Sequence, residues 1–154
     1  MPQSRHQKRK ERKPLKPTPY DDLVCFNFYR GWRAVQEFYS SAYPDTLNPQ
    51  RSYIIGLCID EAKRVSEIAE IIQIADAAVS NILRRMEKDN LIIRKKSLTD
   101  KRSIEVQATA HGAKLDRQTR QKLEALDEVL EQHVSEQDRQ VLHKLVKVIH
   151  EHTR

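Results

Sequence analysis

The spacing of apolar residues changes once in the second half of this chain, and that change most limits the fold. Over 66–73 and 76–88 apolar side chains recur every three or four residues, which is typical of one buried helix face. Over 103–108 they alternate with polar side chains, which is typical of a half-buried strand. Together with a strand pattern at 91–96 and a charged link at 97–102, this order predicts helix, turn, helix and then a β-hairpin.

Longer helical patterns lie on both sides of this segment. We predict a helix from Asp21 to about Tyr43, a second from Gln50 to about Ala62, and two more after the hairpin, over 110–133 and from Glu136 onwards. The first pattern is broader and more aromatic than one small domain would cover. The predicted fold class is therefore mostly α with a small β-hairpin, the element order of a winged helix-turn-helix.

Polar residues mark where the helices should begin and end. We expect Ser66 and Asp76 to cap the two short helices, and Thr109 to cap the long helix after the hairpin. Ser135 and Glu136 should open the last helix. After the second short helix we expect Asn90 to adopt the left-handed backbone conformation, which Asn tolerates better than most residues.

The basic residues are concentrated in two places. The chain has 28 Lys and Arg against 22 Asp and Glu, a net charge of +6. Residues 1–19 hold seven basic side chains, one acid and four prolines, which predicts a disordered basic arm that either tracks phosphates or is a solvated tail. Residues 81–103 are net +5, whereas 123–138 are net −6. Such a distribution presents one side only to a polyanion.

Several classes of protein are excluded by what the sequence lacks. No apolar run reaches the roughly 20 residues of a membrane span, and no apolar stretch follows the basic N-terminus as in a secretory signal. Three glycines, and no GxSxG or HExxH motif, indicate that the chain is not an enzyme. Scattered histidines predict no metal site, and no cofactor is expected. Two cysteines without CxxC spacing suit the reducing cytoplasm.

The second short helix and the hairpin carry the residue types that a reader of duplex DNA needs. A helix fits the major groove, and short side chains allow it to approach the base edges. The candidate contacts on the exposed helix face are Ala77, Ala78, Ser80, Asn81, Arg84 and Arg85. Those on the hairpin are Lys95, Lys96, Lys101 and Arg102, where an Arg can enter a narrow minor groove. The alternative function is a winged-helix adaptor that docks an acidic protein.

The same segment resembles the MarR family of transcriptional regulators. The matching residues are Ser66–Ala69, Val79–Ile92, Asp100-Lys101-Arg102, Val106 and Thr109–Gly112. The likeness covers about residues 20–152. It implies that Asp100 orients a basic partner and that Arg102 reaches the minor groove.

The likeness to the MarR family also implies a domain organisation. The arm over 1–19 would precede a single domain over 20–154, in which 48–109 form the winged helix and 20–45 and 110–154 form dimerisation helices. A homodimer of this kind would bind a pseudo-palindromic duplex and repress transcription by occlusion. A small molecule or an oxidation event would modulate its affinity for DNA.

Two modes of sensing are open. The run from Cys25 to Tyr29 is similar to the first helix of the family's organic-hydroperoxide sensors, and Tyr39 lies where those sensors keep a tyrosine that hydrogen-bonds the thiolate. Asn48 replaces a second tyrosine of those sensors, and the alternative interpretation, a buried core position, is the more common one for a cysteine on a helix. Alternatively, a small apolar or aromatic effector binds in a cleft lined by Tyr29, Trp32, Tyr39 and Tyr53. Cys58, among isoleucines, is expected in the core.

Overall fold

The computed structural model describes residues 15–97 and 103–153. Six α-helices and three short strands follow one another in these ranges, with a 3-10 turn at Ser40–Ala42 after the first helix. In chain order the elements are α1 (Val24–Tyr39), α2 (Pro49–Leu57), β1 (Lys63–Arg64), α3 (Val65–Ile72), α4 (Asp76–Lys88), β2 (Ile92–Lys96), β3 (Ile104–Ala108), α5 (Ala110–Glu131) and α6 (Glu136–Glu151). This mostly helical fold with a small antiparallel sheet confirms the predicted class.

The chain divides into two compact units, Met1–Glu37 and Phe38–Arg154. In the first unit Arg30 anchors the start of α1, because its Nη1 donates to Asp21 Oδ1 at 2.9 Å and its guanidinium lies 5.4 Å from the centre of the Phe26 ring. The second unit contains the whole helix-turn-helix, the sheet, α5 and α6.

The core of the second unit lies between α2, α3, α4 and the sheet. Each helix contributes apolar side chains at helical spacing, and burying one of them stabilises the fold by about 1.5–3 kcal/mol. The largest fully buried apolar side chains are Ile54, Ile55, Ile68, Leu83, Met86, Leu91, Ile92, Val79 and Val106. Cys58 is also fully buried, as predicted, and burial raises the pKa of its thiol to about 11.

The sheet has the strand order β1-β3-β2 and is antiparallel throughout. The hairpin of β2 and β3 agrees with the sequence pattern, whereas β1 was not predicted, because two residues are too few to show an alternation. In the hairpin Arg94 lies opposite Val106, Lys95 opposite Glu105 and Lys96 opposite Ile104. Opposite residues of an antiparallel pair share one face of the sheet.

Several predicted helix ends need correction. The first helix ends at Tyr39 and the second at Leu57, so both are shorter than expected. Ser66 does not cap α3: Arg64 occupies the N-cap, and its N–H donates to Glu67 Oε2 at 2.7 Å. Asp76 does not cap α4 either, since it is the first helical residue. The N-cap is Ala75, which has no side-chain oxygen to accept from the helix.

Two turn residues other than glycine adopt the left-handed backbone conformation. Asn90 has φ 56°, which confirms the left-handed conformation expected there. Gln73, between α3 and α4, has φ 55° as well. A left-handed conformation costs a residue with a Cβ roughly 1–2 kcal/mol, so packing on both sides of the turn must hold Gln73 in place.

The hairpin joins α5 through a tight connection. The Thr109 hydroxyl accepts from the Gly112 N–H at 2.9 Å, as predicted for a cap, and donates to the Asn90 carbonyl at 2.7 Å. The Thr109 N–H donates to the Leu91 carbonyl at 3.1 Å. Gly112 thereby lies directly against Leu91, with no room for a side chain: a Cβ there would lie 2.1 Å from the Leu91 oxygen.

The first and last helices bury none of their own residues in the single chain. On α6 one face is apolar and at least one third exposed; its members are Val141, Leu142, Leu145, Val146, Val148 and Ile149. On α1 Val24, Tyr29, Trp32 and Val35 are similarly exposed. Across the ranges that the structure describes, no helix is both long enough and apolar enough to cross a membrane.

Candidate nucleic-acid interface

Helix α4 separates a buried side from an exposed side as its sequence predicts. Val79, Leu83 and Met86 are fully buried, and Ile82 is partly buried. Of the six predicted contact residues Ser80 is half-buried, and the other five are exposed: Ala77, Ala78, Asn81, Arg84 and Arg85. The exposed side of the helix is therefore narrow near its start and cationic near its end.

Hydrogen bonds restrain part of this surface. Arg84 Nη1 donates to Asn81 Oδ1 at 3.2 Å, so the two side chains lie along the same helix edge, one turn apart. Beside the end of α4, Arg51 Nη1 donates to Asp89 Oδ2 and to the Thr46 carbonyl, both at 2.7 Å. Asp89 is thus paired with Arg51, which leaves little net charge on this pair at the end of α4.

The hairpin of β2 and β3 is the wing, and its two described lysines, Lys95 and Lys96, lie on opposite faces of it. Lys96 shares a face with Arg94, and Arg94 contacts α4. Lys95 lies on the other face, directly opposite Glu105, which also accepts from the Ser97 hydroxyl at 2.6 Å. The sequence alone placed both lysines on one basic wing. The remaining predicted wing contacts, Asp100, Lys101 and Arg102, lie outside the described residues.

A contact between Glu87 of α4 and Arg94 of β2 was missed from the sequence. Arg94 Nε and Nη2 donate to Glu87 Oε2 at 2.9 and 2.5 Å, and the Arg94 N–H donates to Glu87 Oε1 at 3.3 Å. The Arg94 guanidinium lowers the pKa of Glu87, so the carboxylate is charged at neutral pH. The sequence signal that could have predicted this contact is the spacing of Glu87, near the end of a basic helix, and Arg94, seven residues later in a strand.

A pocket of about 740 Å³ lies between α2, the end of α3 and α5. Its wall is largely apolar, with a few polar groups, and includes Tyr53, Leu57, Ile72, Gln73, Asp116, Arg120 and Leu123. Of the four residues predicted for an effector or redox site, Tyr53 lines this pocket and is 59% exposed.

A buried carboxylate at this pocket was also missed. Asp116 is 2% exposed, accepts from the Ser52 hydroxyl at 2.7 Å and pairs with Arg120 Nη2 at 3.3 Å. Ser52 belongs to α2 and Asp116 to α5, so this network ties the winged helix to the long helix after it. The sequence shows Asp116 and Arg120 as an ordinary exposed i, i+4 pair, and only the fold reveals its burial.

The other three predicted effector residues have different surroundings. Cys25 and Tyr29 are exposed in the first unit, so the expectation of a core position for Cys25 is wrong for the single chain. Tyr39 belongs to the second unit, where its hydroxyl donates to Asp127. Burial and the Asp127 carboxylate raise the pKa of Tyr39 to about 12. Asn48, where the hydroperoxide sensors keep a tyrosine, caps α2 by accepting from the Arg51 N–H at 2.9 Å.

Comparison of the chain with known proteins supports a regulator fold. The model of the MarR family matches residues 60–104. An organic hydroperoxide resistance transcriptional regulator from Bacillus subtilis (strain 168) is 31% identical over 98 residues, which are 62% of this chain and 66% of the relative. The matched region thus spans just under two thirds of that relative's length.

Solved structures share the fold at low sequence identity. The PcaV transcriptional regulator from Streptomyces coelicolor, in complex with its natural ligand, has a TM-score of 0.78 at 11% identity, covering 91% of this chain and 100% of that one. The S. aureus MepR–DNA complex has a TM-score of 0.73 at 20% identity, covering 83% of this chain and 97% of that one. Both likenesses establish the winged-helix architecture of the chain.

Proposed function

We propose that this chain, which is similar to MarR-family regulators, is a transcriptional regulator that binds a specific DNA duplex and represses transcription. The observation that carries the proposal is the exposed side of α4, where small residues precede Arg84 and Arg85 on a helix whose other side is buried. Such a helix can enter the major groove until its backbone approaches the bases. The proteins to which the chain is similar are regulators, a class distinct from enzymes, and the expected location is the cytoplasm.

The hairpin supplies a second point of contact in this proposal. Residues 48–109 form the reading head, with Lys96 on the side of the wing that faces α4. In this proposal Lys101 and Arg102, which lie outside the described residues, reach the minor groove. Asp100 orients one of these basic side chains. Phosphate contacts of this kind fix the register of a protein on the duplex, whereas the base contacts of α4 select the sequence.

A homodimer completes the proposed DNA-binding unit. The exposed apolar side chains of α6, and those of α1, are the natural contact surfaces for a second copy, because monomeric proteins rarely leave such stripes in water. The dimerisation segments are 20–45 and 110–154. Two-fold symmetry then predicts a pseudo-palindromic site whose half-sites lie about one helical turn apart.

Because Lys95 and Lys96 lie on opposite faces of the wing, replacing each in turn tests the proposed DNA binding. We expect Lys96→Ala to weaken binding to a selected genomic duplex about fivefold and to reduce the slope of log affinity against log salt by about 0.9, as loss of one phosphate contact requires. Lys95→Ala removes the same charge from the opposite face, and we expect less than about a twofold change. Fluorescence anisotropy at several salt concentrations measures both.

Equal losses in the two lysine variants would contradict the proposed orientation of the wing. Binding to a random duplex with the same affinity as to selected genomic fragments would contradict sequence-specific regulation itself. It would favour the second candidate, a winged-helix adaptor that docks an acidic protein, which the basic wing and arm would also serve.

The pocket of about 740 Å³ is the proposed effector site. A volume of this order suits a small organic ligand, and its apolar wall with Tyr53 and the exposed Arg120 guanidinium suits an aromatic or apolar anion. The PcaV regulator, which shares the fold, is described in complex with its natural ligand. Because Ile72 and Gln73 line the pocket at the start of the turn before α4, an occupant would act on the recognition helix.

Oxidation is the second proposed mode of sensing, favoured by the likeness to an organic hydroperoxide resistance regulator and by the exposure of Cys25. We expect Cys25→Ser to bind DNA as the unchanged protein does, but to remain bound when cumene hydroperoxide is added. Gel-shift titration with and without the oxidant measures this. Cys58→Ser serves as the matched control, because Cys58 is buried. Release of the Cys25→Ser variant by the oxidant would contradict thiol sensing.

A further inference from the structure

Glu87 and Arg94 connect the two elements that would read DNA. Glu87 lies in the last turn of α4 and Arg94 in the middle of β2, with the left-handed Asn90 between them. Three hydrogen bonds, at 2.5–3.3 Å, hold the Arg94 side chain and its backbone N–H to one carboxylate. Because a guanidinium fork that bonds through two nitrogens has a fixed direction, this contact restrains angle as well as distance.

Because Arg94 is paired with Glu87, its charge is less available to contact phosphates. Its side chain is 28% exposed, and that of Glu87 is 37% exposed. The pair is therefore close to neutral, within a stretch of sequence that is otherwise strongly basic. A partly exposed ion pair contributes little to the free energy of unfolding. A pair of this kind beside a DNA-binding surface is better explained by geometry than by stability.

We propose that Glu87 and Arg94 are positioning residues that fix the angle of the wing relative to the recognition helix, so that both can enter their grooves of one duplex together. The inference rests on the proposed DNA-binding function and deepens it. Among the described residues β2 is an edge strand of the sheet, with a strand partner, β3, on one side only. Without the Glu87–Arg94 contact, the wing would have to become ordered when DNA binds, and that ordering would lower the affinity.

The direction in which one substitution changes the affinity for DNA distinguishes this positioning role from a purely electrostatic one. Glu87→Gln removes a negative charge from the DNA-facing region and releases Arg94. If charge alone matters, or if Arg94 is a phosphate contact, this variant should bind DNA more tightly. If the pair positions the wing, we expect binding roughly tenfold weaker, within the range measured for contacting charged pairs, with the salt slope unchanged.

Two further variants complete the test. Arg94→Lys keeps the charge but loses the fork, so we expect it to weaken binding to a similar extent as Glu87→Gln. Glu70→Gln is the matched control, because it removes one negative charge from an exposed position on the neighbouring helix α3. We expect binding as tight as before, or tighter. Thermal unfolding of each variant checks that the fold is intact.

Hydrogen exchange in the DNA-free protein gives a readout that does not depend on DNA. We expect faster exchange of the β2–β3 amides in Glu87→Gln and Arg94→Lys, with α2 and α3 unchanged. Unchanged exchange in the hairpin, or tighter DNA binding by Glu87→Gln, would overturn the positioning role. Failure of the unchanged protein to bind any genomic duplex would instead contradict the proposed function, while the exchange result would still decide the role of the pair.

Discussion

Replacing Gly112 with alanine is expected to lower the free energy of unfolding by about 3 kcal/mol, at the upper end of the usual cost of overpacking. The added Cβ would lie 2.1 Å from the Leu91 oxygen and 3.0 Å from its carbonyl carbon. These are backbone atoms, which cannot move aside as the end of a side chain can. The hairpin or the first turn of α5 would have to shift, which would strain the Thr109 cap. Urea denaturation at a fixed protein concentration measures the loss.

Gly56→Ala is the matched control for this experiment. A Cβ at Gly56, in α2, would approach only side-chain atoms: Arg120 Nη2 at 3.2 Å and Asp116 Oδ2 at 3.9 Å. The guanidinium end can move by a few tenths of an ångström, and alanine favours a helix by about 1 kcal/mol over glycine. We expect a change within about 1 kcal/mol of zero. Similar unfolding energies for the two alanine variants would show that the Leu91–Gly112 approach is not a tight restraint.

The second large effect concerns α6. Leu145 is 39% exposed in the single chain, in the middle of the apolar face. We expect Leu145→Asp to yield a monomer, because a carboxylate would have to be buried without a partner at the proposed contact with a second copy. Affinity for the pseudo-palindromic duplex should fall by about 100-fold, since the second reading head would no longer be held near its half-site. Sedimentation and anisotropy measure the two effects.

Gln140→Asp tests whether charge alone accounts for such a loss. It adds one negative charge to an exposed position of the same helix, outside the apolar face. We expect this variant to remain dimeric and to bind DNA within about twofold of the unchanged protein. A dimer that persists in Leu145→Asp would contradict the assignment of α6 to the interface. Equal loss of DNA affinity in both variants would instead indicate long-range repulsion.

The sequence predicted those parts of the fold that follow from local spacing. The alternation over 103–108 and the helical spacing over 76–88 identified the hairpin and helix α4, because burial of one face imposes both patterns. Thr109 was correctly predicted as a cap and Ser135 as the start of the last helix, since each has the required side-chain oxygen at the right distance before its helix. The resemblance to the MarR family was confirmed.

What the sequence did not predict depends on residues far apart in the chain. Asp116 is buried only because α2 places Ser52 beside it, 64 residues away along the sequence. The short strand β1 exists because β3 offers it a partner. The left-handed Gln73 gave no local signal, since glutamine has no preference for that conformation. In the candidate site, the sequence showed that Lys95 and Lys96 make the hairpin basic. The register with β3 was needed to assign each lysine to a face of the hairpin.

Helix α5 has a consequence for the proposed encounter of the protein with DNA. It begins at the hairpin and, at 22 residues, extends about 33 Å. Its far end begins the stretch over 123–138 that is net −6, while the segment just before its start, over 81–103, is net +5. Opposite charges separated along a rigid rod form a large electric dipole. If the chain binds DNA as proposed, the field of a duplex exerts a torque on such a dipole, and a protomer diffusing towards DNA is turned with its basic end leading before any contact forms.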